Sequence, residues 1–143
     1  GWFEIQDIGS QRIGDALNVT DNSFIIDACA GAGGKTLQLA ALTKNKADIL
    51  SLDVEKKKLD ELTKRAIRAG ANRVQTALID IDTLNKYKEK ADFLLLDVPC
   101  SGLGVLRRKP DDKWKLSPEK IEALKLTQQK ILQDYTCMLK KGG

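Results

Sequence analysis

The stretch Phe24-Ile25-Ile26-Asp27-Ala28-Cys29-Ala30-Gly31-Ala32-Gly33-Gly34-Lys35-Thr36 carries an apolar run into an acidic residue and then into a glycine-rich turn. Residues 35–43 continue it with Leu37, Ala40 and Ala41 at helical spacing. A strand, a tight glycine turn and a helix in that order open a βα unit. Working outward, the order repeats. Ile49-Leu50-Ser51-Leu52 ends in Asp53, and residues 55–69 place Leu59, Leu62, Ala66 and Ile67 on one helix face, with Gly70 as the stop signal. Residues 74–79 read as a third strand ending at Asp80, and Phe93–Leu96 is a continuous apolar run ending at Asp97, as a strand buried on both faces requires. Ser117-Pro118-Glu119 starts a long helix running to about Leu139, with Ile121, Leu124, Ile131 and Leu132 on one side and Lys140-Lys141-Gly142-Gly143 closing it. The alternation predicts an α/β fold on a parallel sheet with right-handed crossovers.

Composition narrows the function classes. The 143 residues, 42% hydrophobic and 31% charged, suit one domain spanning 1–143 and are too apolar for a disordered chain. No apolar run approaches the ~20 residues of a membrane helix, and GWFEIQDIGS lacks the basic-then-apolar pattern of a secretory signal. Cys29, Cys100 and Cys137 lie far apart and there is no histidine, so neither a metal site of usual spacing nor a full disulfide framework is expected. Reduced thiols in a cytoplasmic protein are the simplest expectation. No obligate protein partner is inferred. The net charge is only +4, but residues 107–115, RRKPDDKWK, hold five basic and two acidic side chains.

Four strands that each lead into an acid, Asp27, Asp53, Asp80 and Asp97, outline a ligand rim, because ligands of open α/β sheets bind outside the carboxyl ends of the strands. The glycine turn then admits several readings, of which a tight turn without ligand is the plainest. A phosphate-binding loop needs Gly-x4-Gly-Lys-[Ser/Thr]; Gly34-Lys35-Thr36 fits its end, but Cys29 stands where the first glycine belongs, and Asp27 would repel phosphates at the mouth. A dinucleotide loop needs Gly-x-Gly-x-x-Gly, and after Gly31 and Gly33 the third position is Thr36. A cofactor without pyrophosphate, S-adenosyl-L-methionine, suits the acids better. The turn Cys29-Ala30-Gly31-Ala32-Gly33-Gly34-Lys35 can host its methionine part beside Asp27, Asp53 can accept from the ribose hydroxyls, and Asp80 from the adenine amino group.

Asp97-Val98-Pro99-Cys100-Ser101-Gly102, with Arg107-Arg108, Pro110-Asp111 and Trp114, resembles the D-x-P-C-S-G…R-R-x-P-D-x-x-W signature of the Sun-type family of RNA (cytosine-5) methyltransferases. Residues 29–36 are similar to that family's C-A-A-P-G-G-K-T loop, with Gly31-Ala32-Gly33 standing for Ala-Pro-Gly. Gln6-Asp7 with Ser10-Gln11 resembles its leading motif, and residues 129–143 its Q…I-L…L-K-x-G-G segment. The resemblance covers nearly the whole chain. It implies a Rossmann-like class I S-adenosylmethionine-dependent methyltransferase fold, with RNA, ribosomal RNA first, as substrate. It also implies a thiolate that adds to cytosine C6 and so activates C5 for methylation. Asp97 would stabilise the intermediate at the N3 edge, while Cys100 would assist release of the methylated base.

In this family the attacking cysteine lies in a Thr-Cys-Ser motif on the strand after Leu-Lys-x-Gly-Gly. A partial domain is therefore expected, without its RNA-binding region and C-terminal strands, able to hold cofactor but not to transfer methyl groups. Thr136-Cys137 echoes the motif but lies in the helical pattern, where packing is the expectation. Arg107, Arg108, Lys109 and Lys113 around Trp114 suit phosphate contacts plus stacking on an unstacked base; a solvated charged loop, or Trp114 anchoring the loop to the core, remains open. A phosphate-loop nucleotide-binding protein and a non-catalytic RNA-binding module on the same fold are the alternatives.

Overall fold

A computed structural model of the chain describes residues 3–105, 107, 111, 114 and 116–143. The chain divides into two compact units, Gly1–Asp97 with Tyr135–Gly143, and Val98–Asp134. The first carries α1 (Ile8–Ala16), β1 (Phe24–Ala28), α2 (Gly34–Leu42), β2 (Asp48–Asp53), α3 (Lys56–Ala69), β3 (Val74–Leu78), α4 (Ile81–Lys86) and β4 (Phe93–Leu96). The four strands are parallel in the order β3-β2-β1-β4. The second unit holds a 3-10 turn at Leu103–Val105 and α5, which runs Pro118–Tyr135 and belongs to this unit up to Asp134.

Register explains the core. Ile25 pairs with Ile49 and Phe93, so these point to one face together with Leu95; Ile26 pairs with Leu50 and Leu94, which point to the other. The first face packs on Leu37, Leu39 and Ala40 of α2 and Leu62 and Ala66 of α3. The second is covered by Leu84, Tyr87, Cys137, Met138 and Leu139. Both faces of the central strands are thus apolar, as parallel strands flanked by helices demand. In α3, Leu59, Leu62 and Ala66 are buried at helical spacing and Gly70 closes the helix at φ 71°, its successor Ala71 reaching back to Ala66 O at 2.9 Å.

Several elements differ from expectation. β1 runs through Asp27 to Ala28, and β3 stops at Leu78. Ile67 of α3 is 77% exposed, one position off the buried stripe, and Leu39 rather than Ala41 is buried in α2. The last helix ends at Tyr135, and Thr136–Met138 tightens into a 3-10 turn whose Met138 is buried; its Leu132 is exposed, while Ile121, Leu124 and Ile131 are half-buried. α1 and α4 have no counterpart in the periodicity. α1 buries only Gly14 and α4 buries nothing, so neither writes an apolar stripe. Caps hold them instead: Asp7 accepts from Gly9 N and Asp80 from Thr83 N, both at 2.8 Å.

Candidate functional site

The loop after β1 is built to a tight specification. Cys29 N and Ala30 N both donate to Leu52 O at 2.9 Å, Gly33 N to Ala30 O at 3.0 Å, and Gly31 N to Asp53 Oδ2 at 2.9 Å. Cys29, Gly31 and Gly33 have φ of 75°, 57° and 87°. Such a hand costs a non-glycine residue roughly 1–2 kcal/mol, a cost that Cys29 bears and its bond to Leu52 helps offset. Gly33 has no substitute, since a Cβ there would stand 2.5 Å from Leu62 Cγ. Gly33 also caps α2 without a side-chain acceptor, so Gly34 opens the helix with its first N–H groups bare of a cap.

Asp27 does not sit at the rim as the sequence suggested. It lies inside β1, paired in register with Ser51 and Leu95, and is 1% exposed. Its Oδ2 accepts from Thr36 Oγ1 at 2.6 Å, and Thr36 Oγ1 lies 3.1 Å from Ser51 Oγ. Burial pushes the Asp27 carboxyl up to about 6, against the Thr36 hydrogen bond, which favours the charged form. The other oxygen, Oδ1, is buried without a hydrogen-bond partner, as is Gln6 Nε2. Both residues line a recess of about 120 Å3 with Ser10, Cys29, Ala30, Gly34, Lys35 and Asp97. A larger cleft of about 570 Å3 between the N-terminal segment, α2 and α3 shares Gln6 and Gly34 with this recess and is lined also by Glu4 and Arg65.

The remaining acids take different places. Asp53 ends β2 and spends both oxygens on backbone, Oδ2 on Gly31 N and Oδ1 on Glu55 N, each at 2.9 Å; it stitches the loop to the strand end while each oxygen keeps a lone pair. Asp97, just beyond β4, is paired with Lys35 Nζ at 2.5 Å. The loop lysine therefore answers a carboxylate. Asp80 is an exposed cap on α4, and the Thr83 amide holds its carboxyl below the usual range.

The three thiols divide by environment. Cys29 is half-buried and pushed up to about 11, by burial first and then by Asp53, Asp27 and Asp97. Cys137 packs in the second core, its carbonyl accepting from Glu89 N at 2.8 Å. Cys100 is exposed in the second unit, where Pro99 O accepts from Gln128 Nε2 at 2.8 Å. Arg107 is exposed, and Trp114 is 80% exposed. Arg108, Lys109 and Lys113 lie outside the described residues.

Sequence reasoning missed several contributors. Thr36 and Ser51 complete the buried Asp27 cluster; the polar Ser51 interrupting an apolar strand was the available signal. Gln6 and Ser10, quoted above only as part of the leading motif and given no role, line the recess. Val54 and Ile81 follow Asp53 and Asp80 directly and are 70% and 68% exposed, an apolar pair at the ends of adjacent strands. Arg65 reaches the loop from α3 and donates to Ala32 O at 2.6 Å.

With this geometry in view, comparison with known proteins is informative. The family model described as 16S rRNA methyltransferase RsmB/F matches residues 15–143. A probable ribosomal RNA small subunit methyltransferase B of Bacillus subtilis is 37% identical over 150 residues, covering 100% of this chain and 32% of that protein. The crystal structure of NSun6 from Pyrococcus horikoshii with SFG is 31% identical with a TM-score of 0.89, covering 100% of this chain and 36% of that one. A methyltransferase homolog protein from the same organism is 26% identical with a TM-score of 0.80, covering 96% of this chain and 42% of that one. The chain thus spans about a third of the length of the curated relatives it matches.

Proposed function

The chain belongs to the RsmB/F family of 16S rRNA methyltransferases, and on that footing we propose that it is the cofactor-binding part of an enzyme that methylates C5 of cytosine in RNA, ribosomal RNA first, using S-adenosyl-L-methionine. The observation that carries this reading is a recess lined by Asp27 and Gln6, each of which has a buried polar atom without a partner, the Asp27 Oδ1 acceptor and the Gln6 Nε2 donor. A buried unpaired acceptor and donor each cost free energy unless a ligand answers them. The zwitterionic end of an amino acid answers both, its ammonium at Asp27 and its carboxylate at Gln6. The acids Asp27, Asp53 and Asp97 suit a sulfonium and repel a polyphosphate, so the residues present fit this cofactor. Val54 and Ile81 offer apolar surface for a purine, with Asp53 beside the ribose. The Pyrococcus NSun6 neighbour, solved with the S-adenosylmethionine analogue SFG, supports the same reading.

When bound, the cofactor supplies an electrophilic methyl group. In the proposed reaction a thiolate adds to C6 of the flipped cytosine, N3 takes a proton, and C5 becomes nucleophilic. Asp97, oriented through Oδ2 by Lys35, meets the N3 edge. After methyl transfer the C5 proton leaves to a base, N3 gives back the proton it took, and the thiolate is expelled as the C5–C6 double bond re-forms, with Cys100 assisting release. Cys29, held protonated to about 11, and Cys137, packed in the core, are unsuited to attack. By the resemblance to the Sun-type family, the nucleophile is assigned to a Thr-Cys-Ser motif that follows Leu-Lys-x-Gly-Gly, and on that reading these 143 residues bind cofactor without transferring methyl groups. Arg107 and Trp114 are proposed RNA contacts, with Arg108, Lys109 and Lys113 assigned to the same role from sequence.

Calorimetric titration of the chain tests the reading. S-adenosylhomocysteine is expected to bind and magnesium–ATP not to, with Asp53→Ala weakening the former by about tenfold or more for a lost charged hydrogen-bond partner. Binding of magnesium–ATP alone would restore the phosphate-loop alternative. RNA binding with a salt slope and no cofactor affinity would mark a non-catalytic module. Methyl incorporation by these 143 residues, abolished by Cys100→Ala, contradicts the assignment of the nucleophile elsewhere.

A further inference from the structure

Arg65 stands in α3 with its side chain 18% exposed, and its guanidinium holds two partners far apart in sequence. Nη1 donates to Ala32 O in the glycine loop at 2.6 Å, and Nη2 donates to Glu4 Oε2 at 2.9 Å. Arg68 Nη2 takes the other Glu4 oxygen at 2.9 Å, and the two arginines, Arg68 foremost, hold the Glu4 carboxyl below its usual range.

The peptide unit between Ala32 and Gly33 is consequently fixed at both ends. Its carbonyl is held by Arg65 and its N–H by Ala30 O at 3.0 Å. Rotation of this unit would change φ of Gly33, which is positive here and which glycine can take with either sign. Glu4 meanwhile stands two residues before Gln6, which lines the recess and whose buried Nε2 has no partner. One planar fork therefore ties the loop that supplies Cys29, Ala30, Gly34 and Lys35 to the recess to the N-terminal segment that supplies Gln6 and Ser10, which a point-charge lysine cannot do.

We propose that Arg65 is the positioning residue of the cofactor site, locking the glycine loop through Ala32 and the N-terminal wall through Glu4 without touching the ligand itself. The proposal rests on the cofactor reading given above and deepens it, because the part of the ligand it governs is the amino-acid end. Two probes separate that end from the rest: S-adenosylhomocysteine, which carries it, and methylthioadenosine, which lacks it. In calorimetry on the full 143-residue chain, Arg65→Ala is expected to weaken S-adenosylhomocysteine about tenfold, the scale of a lost charge-assisted hydrogen bond, and to leave methylthioadenosine within about twofold. Arg65→Lys should fall between, and Glu4→Gln should show the same selectivity with a smaller loss; these two carry the comparison where Arg65→Ala fails to fold. Unchanged S-adenosylhomocysteine binding, or equal loss for both probes, overturns the positioning role. A parent chain that binds neither probe overturns the cofactor reading instead.

Discussion

Asp27 shares its buried place with Thr36 and Ser51 and gives up its proton at about 6, against 3.8 for an ordinary aspartate. Below pH 3.8 the carboxyl is protonated in folded and unfolded chains alike and costs nothing. Between 3.8 and about 6 the unfolded chain ionises while the folded one keeps its proton, so stability falls as pH rises, by about 3 kcal/mol in all, and is level above. Asp27→Asn keeps an acceptor for the Thr36 hydroxyl and removes the titration. Its stability relative to the parent, by urea unfolding, should therefore climb from pH 4 to pH 6.5 and then stay flat; a difference independent of pH would count against the buried acid. The glycines of the loop separate a steric from a conformational demand. Gly31→Ala meets open space and bears only the positive φ, roughly 1–2 kcal/mol. Gly33→Ala adds a clash with Leu62, a fully buried core side chain, and should lower the melting temperature distinctly more. Equal losses would show that Leu62 gives way freely.

Helices α3 and α5 contrast at the level of elements. α3 buries Leu59, Leu62 and Ala66 against the sheet, so opening it exposes core. α5 is longer but has no fully buried residue, and Ser117 caps it through Lys120 N at 3.3 Å. Local opening free energy follows buried apolar contact more than helix length. Hydrogen exchange read by mass spectrometry should show residues 119–133 exchanging well before residues 59–68. The reverse order would mean that the second unit is the stabler one. The same comparison explains what was legible in sequence. α3 shows its buried stripe and its glycine stop, whereas α1 and α4 carry the local caps Asp7 and Asp80, and α1 is also held by Gln38 of α2, none of which apolar periodicity records.

For the molecule as a whole, the alternation of apolar runs and helical patterns determined the α/β class, the parallel sheet and the assembly of acids near one end of it. Chain chemistry alone required this, because strands with both faces apolar must be sandwiched between helices. Asp53 and Asp97 stood where the sequence put them, since a polar residue closing an apolar run marks a strand end. Only the folded chain decided what each group does there. Register turned Asp27 inward to Thr36 and Ser51, the Gly31 amide claimed Asp53, and Lys35 claimed Asp97. Partners separated by 9, 22 and 62 positions met because strand order brought them together. Tertiary structure likewise decided that Cys29 is a half-buried thiol and that Arg65 reaches the loop. Periodicity reports burial along one element; hydrogen-bond partners and proton affinities arise between elements, and only tertiary structure sets them.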